Sequence, residues 1–299
     1  MRYSALIALA FFLLSLGTFG QEATTCGSQS VVEHELNNDP DFERSYWALQ
    51  EAIQRIQSEM VMNRSDFDVY NIPVVFHVMH LGSEIGVDEN ISDEQILSSV
   101  EALNEDFRKM VGTNGDGLGV DTYIQFELAK RDPDNNPTNG ITRYNTSNLS
   151  VFPEEGVRTS SLYPGAPTSD VLPLVIWDRD QYINIIVVPE INGNDGGGGV
   201  QGFAYTSVPS NKSVDAVVAL YNVVGTTGSI KSGNLNRIVT HEVGHHLTLE
   251  HTFGNVLNPY NSCAEADAET NCETQGDFIC DTPPTMTNRF CDFPECDGA

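Results

Sequence analysis

Apolar residues recur along this chain with two different periods, and the change of period marks out the elements. After Asp39, Phe42, Tyr46, Leu49, Ile53, Ile56 and Met60 fall three or four apart, the repeat of one helical face. Asp39 suits the cap of that helix and Pro40 its first turn. Residues 72–80 form a β-rich apolar run suited to a central strand. Ser92, followed three residues later by Gln95, opens a second helix with a capping box, and Ile96, Val100, Leu103 and Phe107 supply its apolar stripe. Residues 123–129 alternate as a strand, 131–139 are a cluster of Pro, Asn and Asp turn residues, and 140–144 suit a short strand. Residues 177–180 lead into a strand at 182–188. The glycine run at 196–199 lacks the G-x-x-x-x-G-K-[ST] pattern of a phosphate cradle and is expected to be a flexible loop. Strands at 202–205 and 214–224 follow, then a helix over 235–247 capped at Asn234. Strands and helices alternate early and loops dominate late, which predicts an α+β fold: a twisted, mostly parallel sheet backed by two helices.

Charge narrows the function. The chain carries 15 Lys and Arg against 42 Asp and Glu, a formal net charge of −27. That argues against nucleic acid and anionic membranes as partners and makes calcium a plausible counter-ion. Residues 1–20 have the form of a signal peptide: Arg2, an apolar core from Ala5 to Leu16, then small residues. The core is too short to span a bilayer, and no other run is long enough. The mature protein is therefore expected outside the cell. Cysteine usage agrees, since five of the six cysteines lie between Cys263 and Cys296, the pattern of a disulfide framework in an exported protein. Cys26 stands apart near the N-terminus.

The chemistry concentrates in His241-Glu-Val-Gly-His-His-Leu-Thr-Leu-Glu-His-Thr-Phe253. His241 and His245, four apart, share one face of a helix. His251 follows six residues later. Three imidazoles leave a fourth tetrahedral position open, the layout of a catalytic zinc site. Zinc lowers the pKa of bound water from about 15.7 to about 7, and Glu242 is placed to take its proton, so the implied reaction is attack of hydroxide on a peptide carbonyl. The neighbouring His246 points to another helix face and reads as a packing histidine, and His77 and His80 read as structural. One position stands out, Thr248. In the metzincins, which this histidine spacing resembles, glycine normally stands there, where the helix must turn sharply to deliver the third histidine. Glycine makes that turn without strain. Strain there is expected to cost on the order of 1–3 kcal/mol, well below metal ligation energies of about 10 kcal/mol or more.

This motif, with Thr252-Phe253 after the third histidine, resembles the pappalysin (cytophagalysin) branch of the metzincins. The stretches at 276–283 and 72–78 are similar to the same family. The resemblance implies a metzincin-like zincin with a five-stranded sheet, an active-site helix and a second backing helix, and a loop-rich, disulfide-bonded C-terminal part. It implies Zn2+ on His241, His245 and His251, with Glu242 catalytic and a protein or peptide substrate. It sets Gly202, Phe203, Ala204 and Tyr205 in the upper rim of the cleft, where an extended substrate pairs with a free sheet edge. Asp277 and Thr282 match calcium positions of the family, a solvated aspartate in a turn being the other reading of Asp277. It pairs Cys272 with Cys296, leaving Cys263 for Cys280. Cys26 is implied as a latency ligand that fills the open metal position; a disulfide or an inert thiol is the alternative. The family's Met-turn and S1′ wall would lie beyond Ala299, so the catalytic part is expected to be truncated.

The expected organisation is a signal peptide at 1–20, a pro-segment at 21–65 with Arg64-Ser65 as a processing point, and a catalytic domain over 66–299. An N-terminal helix simply packed on the domain is the alternative to the pro-segment. The alternative to an endopeptidase is a secreted zinc- and calcium-binding module without turnover, favoured by Thr248 and the missing Met-turn. Specificity and oligomeric state are not encoded in these patterns.

Overall fold

The computed structural model describes residues 26–59, 68–117, 119–211, 213–231, 236–252 and 277. Its strands are β1 (Tyr70–His80), β2 (Ile124–Leu128), β3 (Ile141–Asn145), β4 (Val157–Arg158), β5 (Ala166–Pro167), β6 (Ile183–Val188), β7 (Gly202–Ala204) and β8 (Val217–Leu220). Its helices are α1 (Ser28–Asn38), α2 (Pro40–Glu59), α3 (Asp93–Phe107), the single turns α4 (Phe152–Glu155) and α5 (Thr168–Val171), and α6 (Ile238–His246).

The sheet order is β2-β1-β6-β8-β7, with β3 also on β1. Every neighbouring pair is parallel except β7 with β8. The expectation of five strands becomes six in five positions. β2 pairs with Tyr70 to Val74 and β3 with Phe76 to His80, so the two succeed one another along one edge of β1. Between them the chain makes the excursion expected at 131–139. β1 and β6 are apolar on both faces and wholly buried along most of their length, as a central parallel strand requires.

α3 and α6 pack against each other, α3 against β2 and α6 against β7 and β8. Ser92 caps α3 by accepting from the Gln95 N–H at 3.2 Å. The box closes only on that side. The Gln95 side chain does not return to the cap; its Nε2 donates to the carbonyls of Tyr221 and Val224. That reach explains why the apolar run at 214–224 is a strand only to Leu220. Beyond it the chain coils into a 3-10 turn (Tyr221–Val223) and runs over α3. At Gly225, with φ +76°, a Cβ would sit 2.2 Å from the Gln95 carbonyl oxygen.

Asp39 caps α2 as expected, its Oδ1 accepting from the N–H groups of Asp41 and Phe42. α1, unforeseen in the sequence, lies against α2 and β7. Val32, Phe42 and Tyr46 build a separate small apolar cluster with Val208, while Val31 alone of these two helices joins the main buried core. The glycine loop has a defined path: Asn194 Nδ2 donates to the Val200 carbonyl at 2.7 Å and Asn222 Nδ2 to the Asp195 carbonyl at 2.7 Å.

Candidate metal centre

α6 begins at Ile238, three residues later than the period suggested, and Asn234 lies outside the described residues. Arg237 holds its start against α3 through ion pairs to Glu105 and Asp106. His241 and His245 sit one turn apart. The helix ends at His246, and Thr248 turns the chain with φ +76°. The Leu249 N–H closes that turn on the Gly244 carbonyl at 3.0 Å. Thr248 thus adopts the left-handed conformation that the spacing demands, although β-branched residues rarely do.

The turn brings His251 back to the other two. His245 Nε2 lies 3.1 Å from Nε2 of both His241 and His251, and those two atoms are 3.3 Å apart. His245 Nδ1 faces the Leu249 carbonyl at 2.7 Å. A carbonyl only accepts, so Nδ1 carries the proton and Nε2 presents its lone pair to the centre. Three nitrogens on a zinc tetrahedron with bonds of about 2.0–2.1 Å stand about 3.3–3.4 Å apart. The observed triangle fits that ion. Burial holds all three imidazoles neutral, the form that ligates. It lowers His241, takes His245 to about 3 with help from its two imidazole neighbours, and takes His251 to about 4.

Glu242 is fully buried on the adjoining helix face. Burial pushes its carboxyl up to about 7, opposed by hydrogen bonds from Ser28 and Cys26. Oε2 accepts from the Ser28 hydroxyl at 2.6 Å and lies 3.6 Å from Cys26 Sγ. Oε1 has no hydrogen-bond partner among the described residues. Cys26 Sγ and the three histidine nitrogens all lie within 4.8 Å of one another. Cys26 is a free thiol, held well above its usual pKa first by burial and then by the Glu242 charge. A metal cation at that point would reverse the effect, since a coordinating thiol loses its proton.

The N-terminal segment also occupies the sheet edge. β7 is antiparallel on β8, and its other edge faces the cleft. The Gly27 N–H donates to the Gly202 carbonyl at 2.8 Å, and the Ala204 N–H donates to Ser28 Oγ at 2.7 Å. Gly27 fits because there is no room for a side chain: a Cβ would lie 2.7 Å from Val200 Cγ1.

Of the other expected positions, Gly202, Phe203 and Ala204 form the rim strand, while Tyr205 lies just past its end and its hydroxyl pairs with Thr168 Oγ1 at 2.6 Å. Asp277 is buried rather than solvated; the Glu250 carboxyl is raised first by burial, against the Tyr46 hydrogen bond, and then by the nearby Asp277 charge. Among the described residues, the group of three or more metal-capable side chains is Cys26 with the three histidines, and Asp277 is not in it. Thr282, Cys263, Cys272, Cys280, Cys291 and Cys296 lie outside the described residues, as do residues 1–25 and 60–67. His77 and His246 are both buried. Sequence reasoning missed Ser28, Tyr46 and Glu250, whose hydroxyl and carboxylate bond at 2.7 Å. None carries a motif. Each is placed by contacts over 200 residues apart in sequence.

Residues 167–298 match the peptidase M43 family model, described as Pregnancy-associated plasma protein-A. An extracellular metalloprotease of Arthroderma otae is 24% identical over 204 residues, covering 67% of this chain and 55% of the relative. The chain thus spans little more than half the length of that curated relative. Among solved structures, mirolysin in complex with compound 9 is 32% identical with a TM-score of 0.53, covering 71% of this chain and 74% of that one. A Tannerella forsythia promirolysin point variant is 28% identical with a TM-score of 0.58, covering 88% of this chain and 77% of that one.

Proposed function

The chain belongs to the pappalysin family of metalloproteases, and from that membership we propose that it is a zinc-dependent endopeptidase, exported and made as a latent precursor. One observation carries the reading: three Nε2 atoms converge at 3.1–3.3 Å beside the buried carboxylate of Glu242. Zinc, when bound, acidifies water and polarises a substrate carbonyl. His241, His245 and His251 would hold it. Glu242 takes the proton of the attacking water and hands it to the leaving amine, a service worth about 10²–10⁴ in rate. Its raised pKa suits a group that both accepts and returns a proton near neutrality. A peptide substrate lies extended along β7, where the Gly202 carbonyl and the Ala204 N–H are already used by Gly27 and Ser28.

That occupancy supports residues 21–65 as a pro-segment ahead of a catalytic domain over 66–299. Cys26 stands beside the three histidines, Ser28 covers the general base, and Gly27 with Ser28 occupies the rim. The promirolysin structure covers more of this chain than mirolysin in complex with compound 9, 88% against 71%. Export is supported by the signal-like residues 1–20 and by the extracellular relative; no described helix is long and apolar enough to cross a membrane. The module without turnover rests only in part on Thr248, and that residue makes the turn.

The test is cleavage of casein by the processed protein. Activity should vanish with a chelator and return with zinc, and Glu242→Ala should keep the zinc and lose the cleavage. Undiminished hydrolysis by Glu242→Ala would overturn the assignment.

A further inference from the structure

The rim strand leaves its sheet before it leaves the cleft. The last ladder bond beyond β7 runs from the Tyr205 N–H to the Ala216 carbonyl at 3.0 Å. Residues 205–208 continue along the cleft outside any strand. Thr206, in this stretch, is buried. It lines a small cavity together with His245, Thr248 and His251 on one side and Ser28 and Val32 on the other.

Three side chains replace the missing ladder, two of them buried (Asp215, His246) and one, Arg179, half-buried. His246, in the last turn of α6, bonds the Tyr205 carbonyl through Nδ1 at 2.9 Å. Asp215, in the turn before β8, accepts from the Ser207 hydroxyl at 2.9 Å. Arg179, in the turn before β6, donates to the Val208 carbonyl at 2.6 Å. The three also meet one another: Arg179 pairs with Asp215, and His246 Nε2 faces Asp215 Oδ1 at 3.5 Å, an oxygen with no hydrogen bond among the described residues. The Asp215 side chain is wholly buried. Burying such a cluster is a poor way to gain stability, but it fixes a geometry. The geometry fixed here joins the residue next to a metal ligand to the far half of the substrate edge.

We infer that Arg179, Asp215 and His246 are positioning residues that hold 205–208 level with the metal helix, so that substrate residues bound beyond Ala204 dock on a preset edge. The inference rests on the peptidase reading. It gives specificity for extended substrates to a cluster that touches neither substrate nor metal.

Two measurements on Asp215→Asn, His246→Leu and His246→Asn test it. In the full chain, hydrogen exchange at the amides of Thr206, Ser207 and Val208 should quicken about tenfold in the first two variants, with α6 and β6 amides unchanged. His246→Asn keeps a donor near the place of Nδ1 and should recover most of the protection. In the processed enzyme at full zinc content, Asp215→Asn and His246→Leu should raise KM about tenfold for a peptide long enough to reach Thr206. Their kcat, and their KM for a peptide ending before Thr206, should stay close to wild type. Equal losses on both peptides, or exchange rates unchanged at 206–208, would overturn the inference. If the wild-type enzyme cleaves neither peptide, the peptidase reading fails, and the exchange rates still decide whether the three residues hold this segment.

Discussion

The central strand β1 and the helix α6 both bury histidine, and to opposite ends. His77 is wholly buried in β1, with Nδ1 against Thr142 Oγ1 at 2.7 Å and Nε2 against Asn184 Oδ1 at 3.0 Å. Both ring nitrogens are satisfied, and the Trp177 ring packs edge-on at 5.8 Å. In α6 and the turn beyond it, three Nε2 atoms point at one another. Burial lowers the pKa in both places, to about 4 at His77 and to about 3 at His245. A depressed pKa therefore does not mark a ligand. What marks it is where the lone pairs go: into the neighbours' hydrogens, or into a shared point that only a cation fills.

That contrast can be broken by substitution, and the largest effect belongs to the α6 side. Glu242→Ala should lower casein cleavage about 10²–10⁴-fold with zinc content unchanged. A drop of under threefold would remove the general base from the account. Next comes release of latency. Cys26→Ala should raise the basal activity of the unprocessed chain, and Ser28→Ala should raise it by a smaller factor, about tenfold, by freeing Glu242 and the Ala204 N–H together. Cleavage by either variant no faster than by the unprocessed wild type would count against the contact it removes.

On the β1 side the effect is on stability. His77→Ala should destabilise the fold by about 2 kcal/mol or more in chemical denaturation, because it leaves a cavity in the buried strand and removes the hydrogen bonds to Asn184 and Thr142, and should leave bound zinc at parity. The sign of its pH dependence follows from the depressed pKa. The neutral ring stabilises the fold fully above about 6.5, and that contribution, up to about 3 kcal/mol, is lost as the pH falls toward 4. In His77→Ala the fall in stability between those pH values should be shallower by that amount. The smallest effect belongs to the turn: Thr248→Gly should stabilise the protein by about 1 kcal/mol, relieving a threonine at φ +76° with the three histidines kept in place.

How much of this was legible in the sequence follows the range of the interactions. β1, β2, β3, β6 and β7 were readable because each carries its own alternation or apolar run. α2 and α3 were readable from their stripes and from Asp39 and Ser92. The histidine spacing of α6 was readable for the same reason, being local, while the left-handed turn at Thr248 followed from the family resemblance. α1 was not, since only Ser28, Val31 and Val32 of it are buried and no repeat forms. The run at 214–224 looked like one strand because coil packed over a helix can be as apolar as a strand. Ser28 on Glu242, Gln95 on Val224, and the meeting of Arg179, Asp215 and His246 join segments that no period or motif relates. They depend on which elements the fold sets side by side.

The most direct test of the central claim is zinc-edge X-ray absorption on the unprocessed chain. The account predicts one zinc per chain with three nitrogens at about 2.0–2.1 Å and one sulfur at about 2.3 Å, the sulfur being lost in Cys26→Ala while the nitrogens remain. A chain that retains no zinc, or a nitrogen shell unchanged in His251→Ala, would contradict it.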